Sequence, residues 1–202
     1  MGQSYLVPAA ETRVQTRVSN SVFIATAARA DTVEAARAFI QRIREEHAKA
    51  THNVYAFVIG HGASVIEGCH DDGEPSGTAG RPVLAVLRGS GLGDAVIVVT
   101  RYFGGTKLGA GGLVRAYGDA ARMVLDALPR ARKVELRQMH LTCPYAHYAA
   151  VRRLIEQFNG QVLDEQFEAA VHLRVSLAAD DAVPFSHAVA EWSGHQVTIC
   201  DA

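Results

Sequence analysis

The clearest pattern of apolar positions lies in the middle of the chain. Four consecutive β-branched residues, Val96 to Val99, precede a glycine-rich segment. An unbroken run of this kind is typical of a strand that is buried on both faces. After the glycines, apolar residues recur every three or four positions, which predicts an amphipathic helix with one buried face formed by Leu113, Tyr117, Ala120, Val124 and Leu128.

The residues before this strand predict a hairpin, a helix and a pair of strands. Polar and apolar residues alternate over Glu11–Thr26, which indicates two strands or one bent hairpin. Asp31 has a Glu three positions later, a combination typical of a helix start, and we expect this helix to end near His47. A strand at Val54–Gly60 is expected to pair with one at Ala63–Glu67.

The last third of the chain alternates regularly between strands and helices. Pro129 and the basic residues after it predict a domain boundary, so we expect domains of 1–130 and 131–202. The second domain has the order βαββαβ, which is typical of a ferredoxin-like sandwich and gives an α+β fold. On its second helix, Val183, Val189 and Trp192 are expected to face the sheet. Its predicted elements are strand Val134–Cys143, helix Tyr145–Phe158, strands Gln161–Phe167 and Val171–Leu177, helix Asp181–Trp192 and strand His195–Cys200.

Composition indicates a cytoplasmic globular protein. Of the 202 residues, 49% are apolar and 20% are charged, values typical of ordinary globular domains. No apolar run approaches the roughly 20 residues that cross a bilayer, so we expect no membrane association. The first residues show no secretion signal, and three widely spaced cysteines suggest free thiols. We expect neither a cofactor nor a metal cluster.

Charge is distributed unevenly along the chain. Between Arg101 and Arg137, eight Lys or Arg stand against three Asp or Glu, a net charge of +5. Between Gly160 and Ala202, one Arg stands against seven acids, a net charge of −6. This distribution argues against a nucleic-acid-binding surface that extends over the whole protein, but it allows one local phosphate-binding patch.

The glycine-rich segment is the first candidate site. Five glycines fall within the nine residues from Gly104 to Gly112, just before the predicted helix. The free N–H groups at the N-terminus of that helix favour an anion. Neither a P-loop nor a dinucleotide fingerprint is present. The alternative is that the glycines only let strand and helix pack closely. The candidate residues for phosphate or nucleic-acid binding are Arg101, Tyr102, Gly104, Gly105, Lys107, Gly109, Gly111 and Arg115, and Phe103 offers a further flat surface for a base.

A short helix is expected from Pro82 to Leu87. The acidic segment before it, from Gly68 to Pro82, is the second candidate site. Its three acids could hold a divalent cation through oxygen ligands. The alternative is a rigid turn whose carboxylates accept backbone N–H groups or pair with basic neighbours. If this segment folds against the glycine-rich one, the two would share a cleft that includes His52, Asp71, Asp72 and Glu74.

Three motifs resemble those of the YigZ/IMPACT family: ATHNVYAF at 50–57, DDGEPSGTAGRP at 71–82 and VVTRYFGGTKLGAGGLVRAY at 98–117. The resemblance implies an N-terminal domain similar to the βαβ fold of ribosomal proteins and translational GTPases. It also implies a C-terminal ferredoxin-like domain in bacterial-type members. Eukaryotic members are implicated in translational control, and the family has no established reaction.

Three functions fit these observations. We favour a non-enzymatic protein that binds RNA, DNA or the ribosome through the glycine-rich segment and is linked to the regulation of translation. A second possibility is a protein-interaction module that docks on a basic partner through the acidic C-terminal domain. The third is a metal-assisted enzyme acting on a phosphorylated substrate, although no nucleophile and base stand in a recognisable arrangement.

Overall fold

The computed structural model describes residues 4–62 and 65–201, which form two compact units. One unit spans Tyr5–Lys133, and the other contains the chain from Val134 onward. The predicted division into domains of 1–130 and 131–202 stays a prediction. No helix in the described part of the chain is long and apolar enough to cross a membrane.

The N-terminal unit contains a five-stranded sheet in which all neighbours are antiparallel. The strand order is β2-β3-β6-β4-β5, so β6, which contains the predicted Val96–Val99 strand, lies at the centre. A separate two-stranded ribbon pairs β1 with β7. The strands are β1 (Tyr5–Pro8), β2 (Thr12–Val18), β3 (Ser21–Arg29), β4 (His52–Ile59), β5 (Ile66–His70), β6 (Ala95–Tyr102) and β7 (Arg130–Lys133).

The predicted hairpins are largely confirmed. β2 and β3 pair through a tight turn at Ser19 and Asn20, both of which have positive φ (44° and 68°), as a type I′ hairpin turn requires. β4 pairs with β5. The predicted strand at Ala63–Glu67 begins outside the described residues, and the observed β5 begins at Ile66 and continues to His70.

Three helices cover the two faces of this sheet: α1 (Val33–Glu46), α2 (Gly80–Gly89) and α3 (Gly109–Ala127). α1 packs on one face, and α2 and α3 together cover the other. Thr32, and not Asp31, is the N-cap of α1, because the Thr32 hydroxyl accepts a hydrogen bond from the Ala35 N–H group. The predicted buried face of α3 is confirmed.

The C-terminal unit has the predicted βαββαβ order. Its four strands form an antiparallel sheet in the order β11-β8-β10-β9, and both helices contribute to the same core on one face of it. The elements are β8 (Leu136–Cys143), α4 (Tyr145–Gln157), β9 (Gln161–Phe167), β10 (Val171–Ala178), α5 (Ala179–Ser193) and β11 (Thr198–Asp201).

The predicted buried face of α5 was partly wrong. Val189 is buried, but Val183 and Trp192 are 58% and 46% exposed. The buried positions are Ala182, Phe185, Val189 and Ser193, which follow one another by three or four residues. Val183 and Trp192 do not fit that spacing, so these two apolar side chains point away from the core.

Candidate nucleic-acid binding site

A buried carboxylate joins the acidic segment to the centre of the N-terminal unit. Glu74 Oε1 accepts hydrogen bonds from Arg101 Nη1 (2.6 Å) and from the Tyr117 hydroxyl (2.8 Å). The side chains of Glu74 and Arg101 are only 4% and 5% exposed. Since Arg101 lies near the end of β6 and Tyr117 belongs to α3, this one carboxylate fixes the acidic segment against both elements.

Arg101, a predicted phosphate-binding residue, is buried and packed between two aromatic rings. Its guanidinium lies 5.4 Å from the ring centroids of both Phe23 and Phe103. Nη2 donates to Ser21 Oγ at 3.3 Å, whereas Nε is buried and has no hydrogen-bond partner among the residues that the structure describes. The charge of Arg101 is therefore used mainly to compensate that of Glu74.

Tyr117 contributes a fixed donor to the same network. It is fully buried, and burial raises its pKa far above the usual value, with the adjacent Glu74 carboxylate acting in the same direction. The hydroxyl therefore stays protonated at physiological pH. It serves as a permanent hydrogen-bond donor to Glu74.

Asp71 behaves as expected if the acidic segment is a rigid turn whose carboxylates accept backbone N–H groups. Its carboxylate accepts hydrogen bonds from the N–H groups of Gly77 (2.8 Å), Ala79 (3.0 Å) and Gly80 (2.7 Å). Burial alone would raise the pKa of Asp71, but these backbone hydrogen bonds outweigh it and hold the pKa below its usual value. Because Ala79 and Gly80 stand at the start of α2, the carboxylate also caps that helix.

Asp72 is committed to neighbouring elements as well. Oδ1 accepts from Arg44 Nη2 and Oδ2 accepts from the Asn53 N–H group, both at 2.7 Å. The backbone carbonyl of Asp72 lies 2.7 Å from His52 Nδ1. Across residues 4–62 and 65–201, no group of three or more His, Cys, Asp or Glu side chains is placed to hold a metal ion. The acidic segment is thus a turn that hydrogen bonds and an ion pair join to neighbouring elements.

The glycines of the second segment serve different purposes. At Gly104, a Cβ atom would lie 2.1 Å from the backbone carbon of Asn20, and the Gly104 N–H group donates to Ser21 Oγ at 3.2 Å. Close packing therefore explains this glycine, as the packing alternative predicts. Gly109 begins α3 with a φ of +70°, a conformation that residues other than glycine rarely adopt.

Gly111 has no such explanation. It lies in the first turn of α3 without a positive φ, and a Cβ atom there would meet none of the described atoms within 4 Å. Glycine inside a helix costs about 1 kcal/mol relative to alanine. The chain therefore carries a cost at Gly111 that neither its backbone conformation nor its packing requires.

The N-terminus of α3 is open to a ligand. Leu108 stands at the N-cap and provides no side-chain hydrogen bond, and the first turn contains no acidic residue. The N–H groups of that turn and the positive end of the helix dipole favour an anion. Lys107 is exposed directly before it, and Arg115 is exposed four residues after Gly111, on the same face of the helix.

A pocket of about 310 Å³ opens beside this helix end. Both the acidic and the glycine-rich segments contribute to its walls, but of the predicted cleft residues only Glu74 is among the described residues that line it, and His52, Asp71 and Asp72 are not. Phe103, at 46% exposure, presents its ring there. The lining residues are Glu74, Pro75, Arg101, Phe103, Lys107, Leu108, Gly109, Ala110 and Leu113.

Other predicted site residues lie elsewhere. Tyr102 follows Arg101 in β6 and so points to the opposite face of the sheet, where its hydroxyl lies 3.0 Å from His47 Nδ1. Burial lowers the pKa of His47. His52 lies beside Glu74, with His52 Nε2 3.8 Å from Glu74 Oε1. Tyr102 therefore offers no surface to a ligand in this pocket.

Sequence reasoning missed two groups that build the site. Ser21 Oγ accepts from both Arg101 and Gly104, and the Tyr117 hydroxyl supports Glu74. The signal for Tyr117 was available, since a tyrosine on a buried helix face needs a partner for its hydroxyl. Ser21 carried no such signal, because a serine beside Asn20 is equally typical of a turn.

Known protein-family models match both parts of the chain. The Impact N-terminal domain matches residues 19–125, and a domain of unknown function (DUF1949) matches residues 141–195. The chain is 42% identical over 192 residues to the IMPACT family member YigZ of Escherichia coli (strain K12), covering 95% of this chain and 94% of that protein. It is 37% identical over 196 residues to an IMPACT family member of Haemophilus influenzae, covering 96% and 95%.

A solved structure is similar over the whole chain. A crystal structure described as that of a hypothetical protein aligns with a TM-score of 0.71 and 40% sequence identity, covering 100% of this chain and 98% of that one. The alignment includes both compact units. The chain belongs to the IMPACT family.

Proposed function

We propose that this protein is a non-enzymatic nucleic-acid-binding or ribosome-associated protein, linked to translation, whose binding site is the N-terminus of α3 and the pocket beside it. The observation that carries the proposal is the uncapped first turn of α3, with exposed Lys107 before it and Gly111 open within it. Backbone N–H groups at a helix start, together with a nearby cation, form a recurrent site for phosphate groups.

Gly111 supports the approach of a bulky partner. A helix position with no side chain and open space around it lets a ligand reach the backbone closely. Gly111 and Arg115 lie on the same face, about 6 Å apart along the helix axis. Lys107, Gly111 and Arg115 thus provide a short track for a phosphate backbone, and exposed Phe103 provides a flat surface for a base.

The acidic side chains favour binding over catalysis. Asp71, Asp72 and Glu74 each accept hydrogen bonds from groups of the chain itself, so they are part of the scaffold. A metal-assisted phosphoryl site would need such carboxylates to be free for a metal or a substrate. The pocket instead combines apolar walls, one aromatic ring and a helix end.

The number of exposed cations sets the expected strength of binding. With Arg101 buried, Lys107 and Arg115 remain to contact phosphates. Two neutralised phosphates predict a slope of log K against log salt of about −1.4 for single strands and about −1.8 for duplex DNA. Binding should therefore be modest and weaken with salt.

A titration of the full chain with fluorescent single-stranded RNA, duplex DNA and ribosomes at two salt concentrations tests the proposal. Lys107→Ala should weaken binding and reduce the slope by about 0.7 for single strands, because one phosphate contact is lost. Arg122→Ala is the matched control, since Arg122 is exposed farther along α3 and pairs with Asp119. Its affinity should equal that of the wild type.

Two results would contradict the proposal. One is binding whose salt slope is the same in the wild type and in Lys107→Ala. The other is the absence of binding to all three ligands at both salt concentrations. The second result would favour a protein partner that docks on the acidic C-terminal unit.

A further inference from the structure

The sheet of the C-terminal unit has one face that its two helices leave uncovered. Met139, Leu141 and Leu173 belong to the core on the helix side. Successive side chains of a strand point to opposite faces of a sheet, so the exposed residues His140 and Arg174, which are their neighbours in sequence, lie on the other face. A pocket of about 380 Å³ lies there, lined by His140, Asp164, Gln166, His172, Leu173 and Arg174.

Two of the lining residues carry opposite charges and lie directly opposite each other in the sheet. Arg174 on β10 is the register partner of Asp164 on β9, and both are exposed. Residues paired in this way on one face of an antiparallel sheet have Cβ atoms about 4.5–5.5 Å apart. One small molecule in the pocket can therefore contact both side chains.

Neither charge has an ionic partner within the chain. Arg174 forms no ion pair or side-chain hydrogen bond with the residues that the structure describes. Among the same residues, the Asp164 carboxylate accepts only a long hydrogen bond, 3.4 Å, from Gln166 Nε2. By contrast, Glu165, the next residue along β9, pairs with Arg152. The pocket thus offers a cation and an anion that are both available to a ligand.

The rest of the pocket is polar. Leu173 belongs to the core, so none of the described lining residues presents an apolar side chain to a ligand. His172 Nδ1 lies 3.0 Å from Thr142 Oγ1, which holds the imidazole ring in place. His140 and Gln166 add a second imidazole and an amide. These groups suit a ligand that can form hydrogen bonds, and they provide no surface for an apolar one.

We propose that this pocket binds a free α-amino acid with a polar side chain. Such a molecule carries an ammonium and a carboxylate group on one carbon atom, so it matches both charges of the pocket. The Arg174 guanidinium donates to the ligand carboxylate, and the Asp164 carboxylate accepts from the ammonium group. A phosphate group would be attracted by Arg174 but repelled by Asp164. This inference goes beyond the proposed function and does not depend on it.

Isothermal titration calorimetry of the full chain with L-glutamine, L-asparagine, L-serine and L-threonine, each added alone, tests the proposal. At least one should bind, and L-leucine should bind more weakly. Analogues of the bound amino acid that lack either the α-amino or the α-carboxylate group should each bind about tenfold more weakly, because one charged hydrogen-bonding contact is lost. Absence of binding by all four amino acids, or equal binding of both analogues, would overturn the proposal.

Substitutions locate the site. Arg174→Gln and Asp164→Asn should each weaken amino-acid binding about tenfold, and circular dichroism would establish that the variants are folded. Arg153→Gln is the matched control, since Arg153 is an exposed arginine on α4, on the helix side of the sheet. An equal loss in all three variants, or no loss in any, would contradict the site. RNA binding and its dependence on Lys107 should be unchanged in Arg174→Gln, so the failure of either proposal can be recognised separately.

Discussion

The acidic and the glycine-rich segments both stand out in the sequence, but their backbones and side chains are used in opposite ways. In the acidic segment, Asp71 alone satisfies three backbone N–H groups, and Glu74 joins two other elements. In the glycine-rich segment, Leu108 at the α3 N-cap provides no side-chain hydrogen bond, and Gly111 is open to solvent. One segment is internally bonded, and the other leaves polar groups available.

This difference separates scaffold from site within one small unit. A cluster of carboxylates suggests a metal site until its hydrogen bonds are assigned, and here they stabilise a turn. A cluster of glycines suggests loose packing, yet only Gly104 is needed for a close backbone approach. Unusual composition therefore indicates a binding site only where the structure leaves the groups without partners.

The largest effect is expected from Gly104→Ala. The added methyl group would lie 2.1 Å from the backbone of Asn20, so the turn between β2 and β3 must move. Overpacking of this kind typically costs 1–3 kcal/mol, and contact with backbone places Gly104→Ala at about 3 kcal/mol of unfolding free energy. Urea denaturation measures it.

Gly105→Ala provides a partial control for this variant, because a Cβ atom at Gly105 meets nothing within 4 Å although its φ is +86°. It should cost less, about 1 kcal/mol, from backbone strain alone. Equal losses in the two variants would show that the steric contact at Gly104 is unimportant.

A smaller effect is expected from Asp71→Asn, which removes a charged acceptor from three N–H groups. The loss should be about 2 kcal/mol at neutral pH, since hydrogen bonds to charged groups contribute about 1.5–3 kcal/mol. The pKa of Asp71 is lowered in the folded state, so the unfolded state binds more protons in acid. Wild-type stability should therefore fall as the pH drops below about 4, the unfolded pKa.

Denaturation between pH 3 and pH 7 measures both effects of Asp71→Asn. The variant should be less stable at neutral pH, and its stability should decline less steeply in acid. Parallel curves for wild type and variant would show that the Asp71 carboxylate does not contribute to the acid sensitivity of the fold.

Much of the fold could be predicted from apolar spacing, whereas the site could be predicted only in outline. The β6 strand, the buried face of α3 and the βαββαβ order all followed from periodicity. Periodicity failed on α5, where Val183 and Trp192 are apolar but exposed.

The site depended on pairings that sequence spacing does not contain. The sequence predicts Arg101 as a phosphate-binding residue, because nothing nearby in sequence indicates that Glu74 lies against it. Tyr102 was grouped with Arg101, although neighbouring residues in a strand point to opposite faces. Strand alternation would have separated these two residues, but only the tertiary structure could reveal the Arg101 to Glu74 pair.

The most direct test of binding at α3 is Gly111→Ala, measured for stability and for RNA affinity in the same preparation. Alanine is the better helix former and meets nothing within 4 Å, so the variant should be more stable by about 0.5–1 kcal/mol. Its affinity for single-stranded RNA should fall, because the methyl group occupies the space through which the phosphate backbone approaches. A variant that gains stability and binds RNA as tightly as the wild type would contradict binding at this helix end.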